Sequence, residues 1–355
     1  MVGTAILKIF LLLVGFVLLV KGADFFVDGA SGIAKKLKVS TFIIGVTVVA
    51  LGTSAPEAAV TVMDAATGSG DLIVGNILGS NILNILLILG VSAVICNLPV
   101  EKTTRLIDLP FLLLVSALFV ALGFIGNSFT WWEGLILLVL YFAYMAYNVV
   151  FAVKQSKLQL EEAHTVCAME GEANAVQPEI TGWYTKLKLK YEQLQDKVWF
   201  LIIITVVGVA MVVGGAQLVV DSAEYIAVEL IKIPPEIVAL TVVAFGTSLP
   251  ELVTSVSAAR KGDVGIATGN IIGSNIANLL LIGGLGAVCK GTLGLNFSTE
   301  GLVSGLVALV AAVIIFVSSF GKKKCIGRAA GIVMLSCLAA YYVFIFLNLY
   351  VLNIY

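Results

Sequence analysis

The chain has 355 residues, 60% of them hydrophobic and 12% charged, with a net charge of −1 and a mean hydropathy of +1.08. Those values exclude a soluble globular domain and describe an all-α integral membrane protein whose surroundings are a lipid bilayer. Five scattered cysteines and a single histidine, His164, exclude a disulfide framework and a histidine metal site, so no cofactor is expected. The charges sit in short clusters between apolar segments, and no nucleic-acid partner is expected either.

A bilayer core takes about 20 apolar residues per helix, and the sequence predicts ten transmembrane helices, five in each half. Span 1, residues 4–33, carries Lys8, Lys21, Asp24 and Asp28; no cleavage pattern closes it, so it reads as a retained helix. Span 2 (41–66) and span 3 (72–95) hold the first copy of a polar motif, whereas spans 4 (106–125) and 5 (131–153) are plain apolar helices. Trp131-Trp132 suits the headgroup level. Residues 154–197 are polar, too short for a β-sandwich module of about 100 residues, and read as a partly helical surface linker. Spans 6 (198–230), 7 (235–259), 8 (264–288), 9 (302–320) and 10 (326–352) repeat the plan. The chain thus divides into a first repeat (1–153), the linker (154–197) and a second repeat (198–355).

Lys35, Lys36, Lys38, Lys102, Arg105, the linker lysines, Arg260, Lys261, Lys322, Lys323, Lys324 and Arg328 fall on alternate connections, and the opposite ones carry Lys232 and Lys290. By the positive-inside rule the first set, linker included, is cytoplasmic and both termini lie outside the cell membrane. Because each half has an odd number of spans, the two enter the membrane in opposite senses, as inverted five-helix repeats.

The repeat is sharpest at Gly52-Thr53-Ser54-Ala55-Pro56-Glu57, matched by Gly246-Thr247-Ser248-Leu249-Pro250-Glu251. It continues at Gly75-Asn76-Ile77-Leu78-Gly79-Ser80-Asn81-Ile82-Leu83-Asn84, matched by Gly269-Asn270-Ile271-Ile272-Gly273-Ser274-Asn275-Ile276-Ala277-Asn278. Glu57 and Glu251 are 194 residues apart, as are Asn84 and Asn278, so the copies align without a gap. A carboxylate at mid-membrane costs about 2.5 to 3.5 kcal/mol, and neither glutamate has a basic neighbour in sequence. A mobile cation is the expected partner. Residues four apart share a helix face, which groups Thr53 with Glu57, Thr247 with Glu251, Ser80 with Asn84 and Ser274 with Asn278. All of these side chains offer oxygen and none offers sulfur or imidazole, which suits a hard cation such as Ca²⁺ or Na⁺. Pro56 and Pro250 lack an N–H, so the carbonyls of Gly52 and Gly246 lose their helical donors and become further oxygen ligands. Among the other acids, Asp24, Asp28 and Asp221 are expected to cap or pair near helix ends, Asp108 to pair with Arg105, and Asp64, whose counterpart is Ala258, to stand outside the repeated set.

These motifs resemble the α-repeats of the cation/calcium antiporter superfamily and, within it, the sodium/calcium exchanger family of prokaryotic type. The resemblance implies a membrane antiporter, not an enzyme, that exchanges Na⁺ for Ca²⁺ by alternating access, with the long spans 1 and 6 sliding across a fixed site in spans 2, 3, 7 and 8. It implies Glu57 and Glu251 as the main Ca²⁺ ligands. Thr53, Ser54, Thr247, Ser248, Ser80 and Ser274, with the backbone carbonyls of Ala50 and Ala244, complete the Ca²⁺ and Na⁺ sites, and Asn84 and Asn278 line the middle. Some relatives have aspartate where this chain has Asn278; its absence argues against K⁺-dependent exchange. Proton-coupled relatives usually read GNxxE in place of GTSxPE, which favours sodium. The rival readings are a Ca²⁺/H⁺ antiporter, in which protonation of both glutamates replaces Na⁺, and a Ca²⁺-selective channel or membrane scaffold.

Overall fold

The computed structural model describes residues 2–67, 71–126, 128–166, 194, 197–231, 244–291, 295–297, 299–321 and 324–347. Eight helices in it are long and apolar enough to cross a membrane. They are α1 (Gly3–Leu37), α4 (Ile73–Ile95), α5 (Thr104–Ile125), α6 (Trp131–Gln155), α7 (Val198–Leu230), α10 (Val264–Lys290), α11 (Gly301–Ser319) and α12 (Arg328–Ile345). A ninth unit is the bent pair α2 (Thr41–Thr53) and α3 (Ala55–Ala66), which meet at 44°. The predicted span over 235–259 falls partly outside the described residues; what is described there is α8 (Ala244–Thr247) and α9 (Leu249–Lys261). The chain is therefore a multi-pass membrane protein.

The helices are not equivalent. Of the apolar stretches of α4 and α10, 78% and 83% of residues are buried, against 11% for α1, so the two helices carrying the Gly-Asn motif are the innermost. The reason lies in their side chains: both are rich in Gly, Ser, Asn and Ile, small or branched groups that let neighbours come close. Gly269 and Gly273 of α10 show it best, because a Cβ on either would strike the backbone of α2 at Phe42 and Val46. Around this centre α1 and α7 lie against each other along their length, Gly22 against Gly208 and Gly15 against Gly215, while Phe10, Leu13 and Val17 point outward. At 35 residues, α1 is about 50 Å long, well beyond a hydrocarbon core of about 30 Å.

Two short antiparallel ribbons join the halves at opposite ends of α5. At one end β1 (Leu98–Pro99) pairs with β4 (Cys325–Ile326). At the other β2 (Ser128–Phe129) pairs with β3 (Leu295–Asn296). The β1–β4 end also gathers the remaining basic connections. The Ser40 N–H donates to Gln155 Oε1 at 3.1 Å, the Ser40 hydroxyl donates to Glu101, Ser31 donates to Asp263 at 3.1 Å, and Lys261 pairs with Asp28 at 2.8 Å and Asp24 at 3.5 Å. The basic connections at 35–38, 102–105, 260–261 and 324–328 therefore share one face of the molecule.

One sequence expectation needs correction. Asp108 does not pair with Arg105: its Oδ1 accepts from the Tyr144 hydroxyl at 2.9 Å, and the Arg105 guanidinium stands 5.7 Å from the centre of the Phe320 ring. The fifth helix continues to Val166, into the stretch read as a partly helical linker, of which residues 167–193, 195 and 196 lie outside the described set. Asp24, Asp28 and Asp221 do find partners, Asp221 by accepting from Gln217 at 2.7 Å.

Candidate cation site

The site begins with a break in the backbone that the two halves share. Ser54 sits at φ −83°, ψ 7° and Ser248 at φ −86°, ψ 2°, outside the helical basin and in the bridge region. Each precedes a proline by two residues, and a proline can start a helix but not continue one. Glu57 and Glu251 consequently stand in the first turns of α3 and α9, where a helix N-terminus favours a negative charge. Thr53 and Thr247 end the preceding helices, whose carbonyl ends favour a cation.

A second irregularity lies opposite. The regular helix of α4 widens into a π-helical stretch at Leu83–Leu89, and that of α10 at Asn278–Ile282. Such bulges recur at functional sites because they turn side chains off the ordinary helical register. Here they carry Asn84 and Asn278, both fully buried.

Bonds across the halves tie these pieces together. Ser54 Oγ donates to Glu251 Oε1 at 3.1 Å, and Thr53 and Ser274 hydroxyls also reach that carboxylate. Thr53 Oγ1 donates to Asn270 Oδ1 at 3.0 Å, and its repeat counterpart Thr247 meets Asn76 Oδ1 at 3.5 Å. Thr53 also lies 3.5 Å from Ser274 Oγ. Asn81 donates to the Asn275 carbonyl at 3.3 Å. The Ala50 carbonyl accepts from the Ser54 N–H at 3.0 Å and from Thr53 at 3.4 Å.

The two-fold pattern fails at several points. Ser54 bonds Glu251, but neither the Ser248 hydroxyl nor either Glu57 oxygen has a hydrogen-bond partner among the described residues. Glu251 Oε2, Ser80 Oγ and both amide atoms of Asn84 and Asn278 share that condition. Glu57 and Glu251 are 1% and 0% exposed, yet close enough for the charge of one to act on the other. Unpaired buried polar atoms are rare and call for a partner such as an ion or an ordered water. The chemistry of this set fits a hard cation: two carboxylates plus neutral hydroxyl and amide oxygens. Among the described residues no three of His, Cys, Asp and Glu converge.

Of the residues expected from sequence, Thr53, Ser54, Glu251 and Ser274 touch one another directly, Glu57 lies within electrostatic reach, and Thr247 meets Asn76 on the opposite half. Ser80, Asn84, Ser248 and Asn278 are buried with unpaired polar atoms, and Ala50 and Ala244 belong to the helical turns that end at the two threonines. Sequence reasoning missed Asn76, Asn81, Asn270 and Asn275. The signal was present, since all four recur at the same 194-residue spacing.

The sequence signature of the sodium/calcium exchanger protein family matches residues 7–150 and 200–347. The sodium/calcium exchanger MaX1 of Methanosarcina acetivorans is 34% identical over 345 residues, 95% of this chain and 97% of that protein. The inner membrane protein YrbG of Escherichia coli K12 is 33% identical over 326 residues, 91% of this chain and 92% of its own length. The fold is similar to that of the sodium-calcium exchanger NCX_Mj soaked with 2.5 mM Na⁺ and 10 mM Sr²⁺, with a TM-score of 0.75 and 31% identity over 96% of this chain and 99% of that one. By signature, by relatives over nearly its whole length and by fold, the chain belongs to the sodium/calcium exchanger family of membrane antiporters.

Proposed function

We propose that the protein exchanges Na⁺ for Ca²⁺ by alternating access, with Glu57 and Glu251 as the principal ligands of Ca²⁺. The observation that carries this reading is the pair of buried carboxylates, one from each half, with Ser54 of the first half bonded to Glu251 of the second and unpaired hydroxyl and amide oxygens around them. Thr53, Ser54, Ser80, Ser248, Ser274, Asn84, Asn278, Thr247 and the carbonyls of Ala50 and Ala244 supply the remaining oxygens for Ca²⁺ and Na⁺. The exchange rule is electrostatic. Without a cation, two carboxylates would cross an occluded, low-dielectric state uncompensated, which is strongly disfavoured. Loaded with Ca²⁺ or Na⁺, the site switches. Sodium rather than protons is favoured because the site is furnished with neutral oxygens, which a bare proton on a carboxylate does not require.

The proposal includes ten spans in two inverted repeats, 1–153 and 198–355, with the 154–197 linker and the basic connections cytoplasmic and both termini outside. Contacts at the two ends support the count. Residues 40 and 101 meet at one end, so an even number of crossings separates them, and α2–α3 must cross along with α4. β2 and β3 pair at the other end, and α6, α7 and α10 need a fourth crossing, to which α8 and α9 belong.

The test is Ca²⁺ uptake into vesicles under opposed Na⁺ and pH gradients. Uptake that follows Na⁺ supports the reading. Uptake that ignores Na⁺ and follows pH replaces it with Ca²⁺/H⁺ antiport, and single-channel currents replace it with a channel.

A further inference from the structure

One acid outside the central pair shares a helix face with it. On α3, Thr61 follows Glu57 by four residues and Asp64 by seven, so all three point to one side, with Asp64 about 10 Å along the axis from Glu57. Thr61 is 0% exposed, and its hydroxyl has no hydrogen-bond partner among the described residues. The Thr61 methyl packs beside Gly286 of α10. Asp64 is partly exposed; its Oδ2 is buried and equally unpaired. The stripe runs from the centre toward the end of the molecule away from the basic connections.

In the second repeat the corresponding positions are furnished differently, although Thr254, three residues after Glu251, is also buried with an unpaired hydroxyl. Ser255, four residues after Glu251, accepts from Asn270 Nδ2 at 2.9 Å. Ala258, the counterpart of Asp64, is fully buried among Val27, Ala30 and Ile266. A sequence that kept a carboxylate on one route and an alanine on the other has made the two approaches to the site chemically different.

We propose that Asp64 and Thr61 form an outer cation subsite, a carboxylate and a hydroxyl that take Ca²⁺ or Na⁺ on the way between Glu57 and the face opposite the basic connections. This rests on the exchange reading above. The subsite acts by charge, so its effect scales with the charge of the ion. An ion held by Asp64 itself loses a contact at about 4 Å, about 1 kcal/mol per unit charge in water, or roughly sixfold for Na⁺ and thirtyfold for Ca²⁺, whereas an ion at Glu57, about 10 Å away, feels roughly twofold and fourfold whichever face is open.

The experiment is ion exchange in oriented vesicles at an ionic strength of about 10 mM, where screening is weak. Asp64→Asn raises the half-saturating Ca²⁺ on the face opposite the basic connections about thirtyfold and the half-saturating Na⁺ there about sixfold. Half-saturation from the basic face rises by no more than about fourfold for Ca²⁺ and twofold for Na⁺, the maximal rate stays at the wild-type value, which also reports an intact fold, and Asp64→Glu behaves as wild type. Unchanged half-saturation in Asp64→Asn overturns the subsite, and so does an equal change at both faces, complete loss included. Failure of the wild-type protein to exchange in the same vesicles refutes the exchange reading itself, whereas working wild type with an unaltered Asp64→Asn refutes the subsite alone.

Discussion

The contact between α1 and α7 sets the most quantitative expectation. A Cβ placed on Gly208 would lie 2.5 Å from Phe26 N, 2.8 Å from Phe26 Cα and 2.9 Å from Gly22 O. These are backbone atoms of a helix and cannot swing aside. To restore ordinary contact near 3.5 Å, the two helices must part by about 1 Å, and overpacking of that kind costs about 1 to 3 kcal/mol. Gly214, six residues along the same helix, has nothing within 4 Å of the same construction, so there alanine adds helix propensity of about 1 kcal/mol and meets no wall. Gly208→Ala should therefore be less stable than Gly214→Ala by about 1 to 3 kcal/mol, the overpacking alone, because both substitutions gain the same helix propensity. Thermal or denaturant unfolding of the two purified variants in one detergent measures it. If α1 and α7 form one unit, Gly208→Ala also slows exchange while Gly214→Ala does not. Equal unfolding midpoints would refute the claim that backbone contact holds this pair.

Further expectations follow from burial and charge. Asn84 and Asn278 are buried with both amide atoms unpaired, each at a cost of about 1 to 3 kcal/mol; Asn84→Leu or Asn278→Leu should stabilise the ion-free protein by that order while shrinking the rise in unfolding temperature that Ca²⁺ produces, and a destabilised ion-free variant would contradict this. Lys261 holds Asp24 and Asp28 of α1, but the lysine side chain is 28% exposed and the aspartates 36% and 37%, so the contact is worth about 0 to 1 kcal/mol. Lys261→Met should change the populations of α1 positions by no more than about fivefold, read from spin-label distances between α1 and α9; a complete shift to one position would show a stronger latch than this geometry allows.

Much of the site was legible because it was written twice. Glu57 and Glu251, the prolines behind them and the Ser and Asn that face them recur at a fixed spacing, and a buried carboxylate without a basic neighbour already demands a cation. The cross-links were harder. Ser54 meets Glu251, and Thr53 meets Asn270, over separations of 197 and 217 residues, and no local periodicity encodes which helix crosses which. The ribbons at Leu98–Pro99 and Ser128–Phe129 are two residues each, too short to show the alternation that betrays a strand. Asp108 misled because Arg105 is its neighbour in sequence, whereas Tyr144 reaches it in space from the next helix. The π-helical stretches at Asn84 and Asn278 leave no mark in composition at all.

One cation held jointly by acids from both halves is the core of the exchange mechanism. Equilibrium Ca²⁺ binding to the purified protein, titrated calorimetrically with and without Na⁺, measures this without transport. Wild type should bind Ca²⁺ and release it to Na⁺, and Glu57→Gln or Glu251→Gln alone should each weaken binding by about 100-fold or more, since either leaves the other charge without its counterpart ligand. Wild-type affinity in either single variant, or Ca²⁺ binding indifferent to Na⁺, would contradict it.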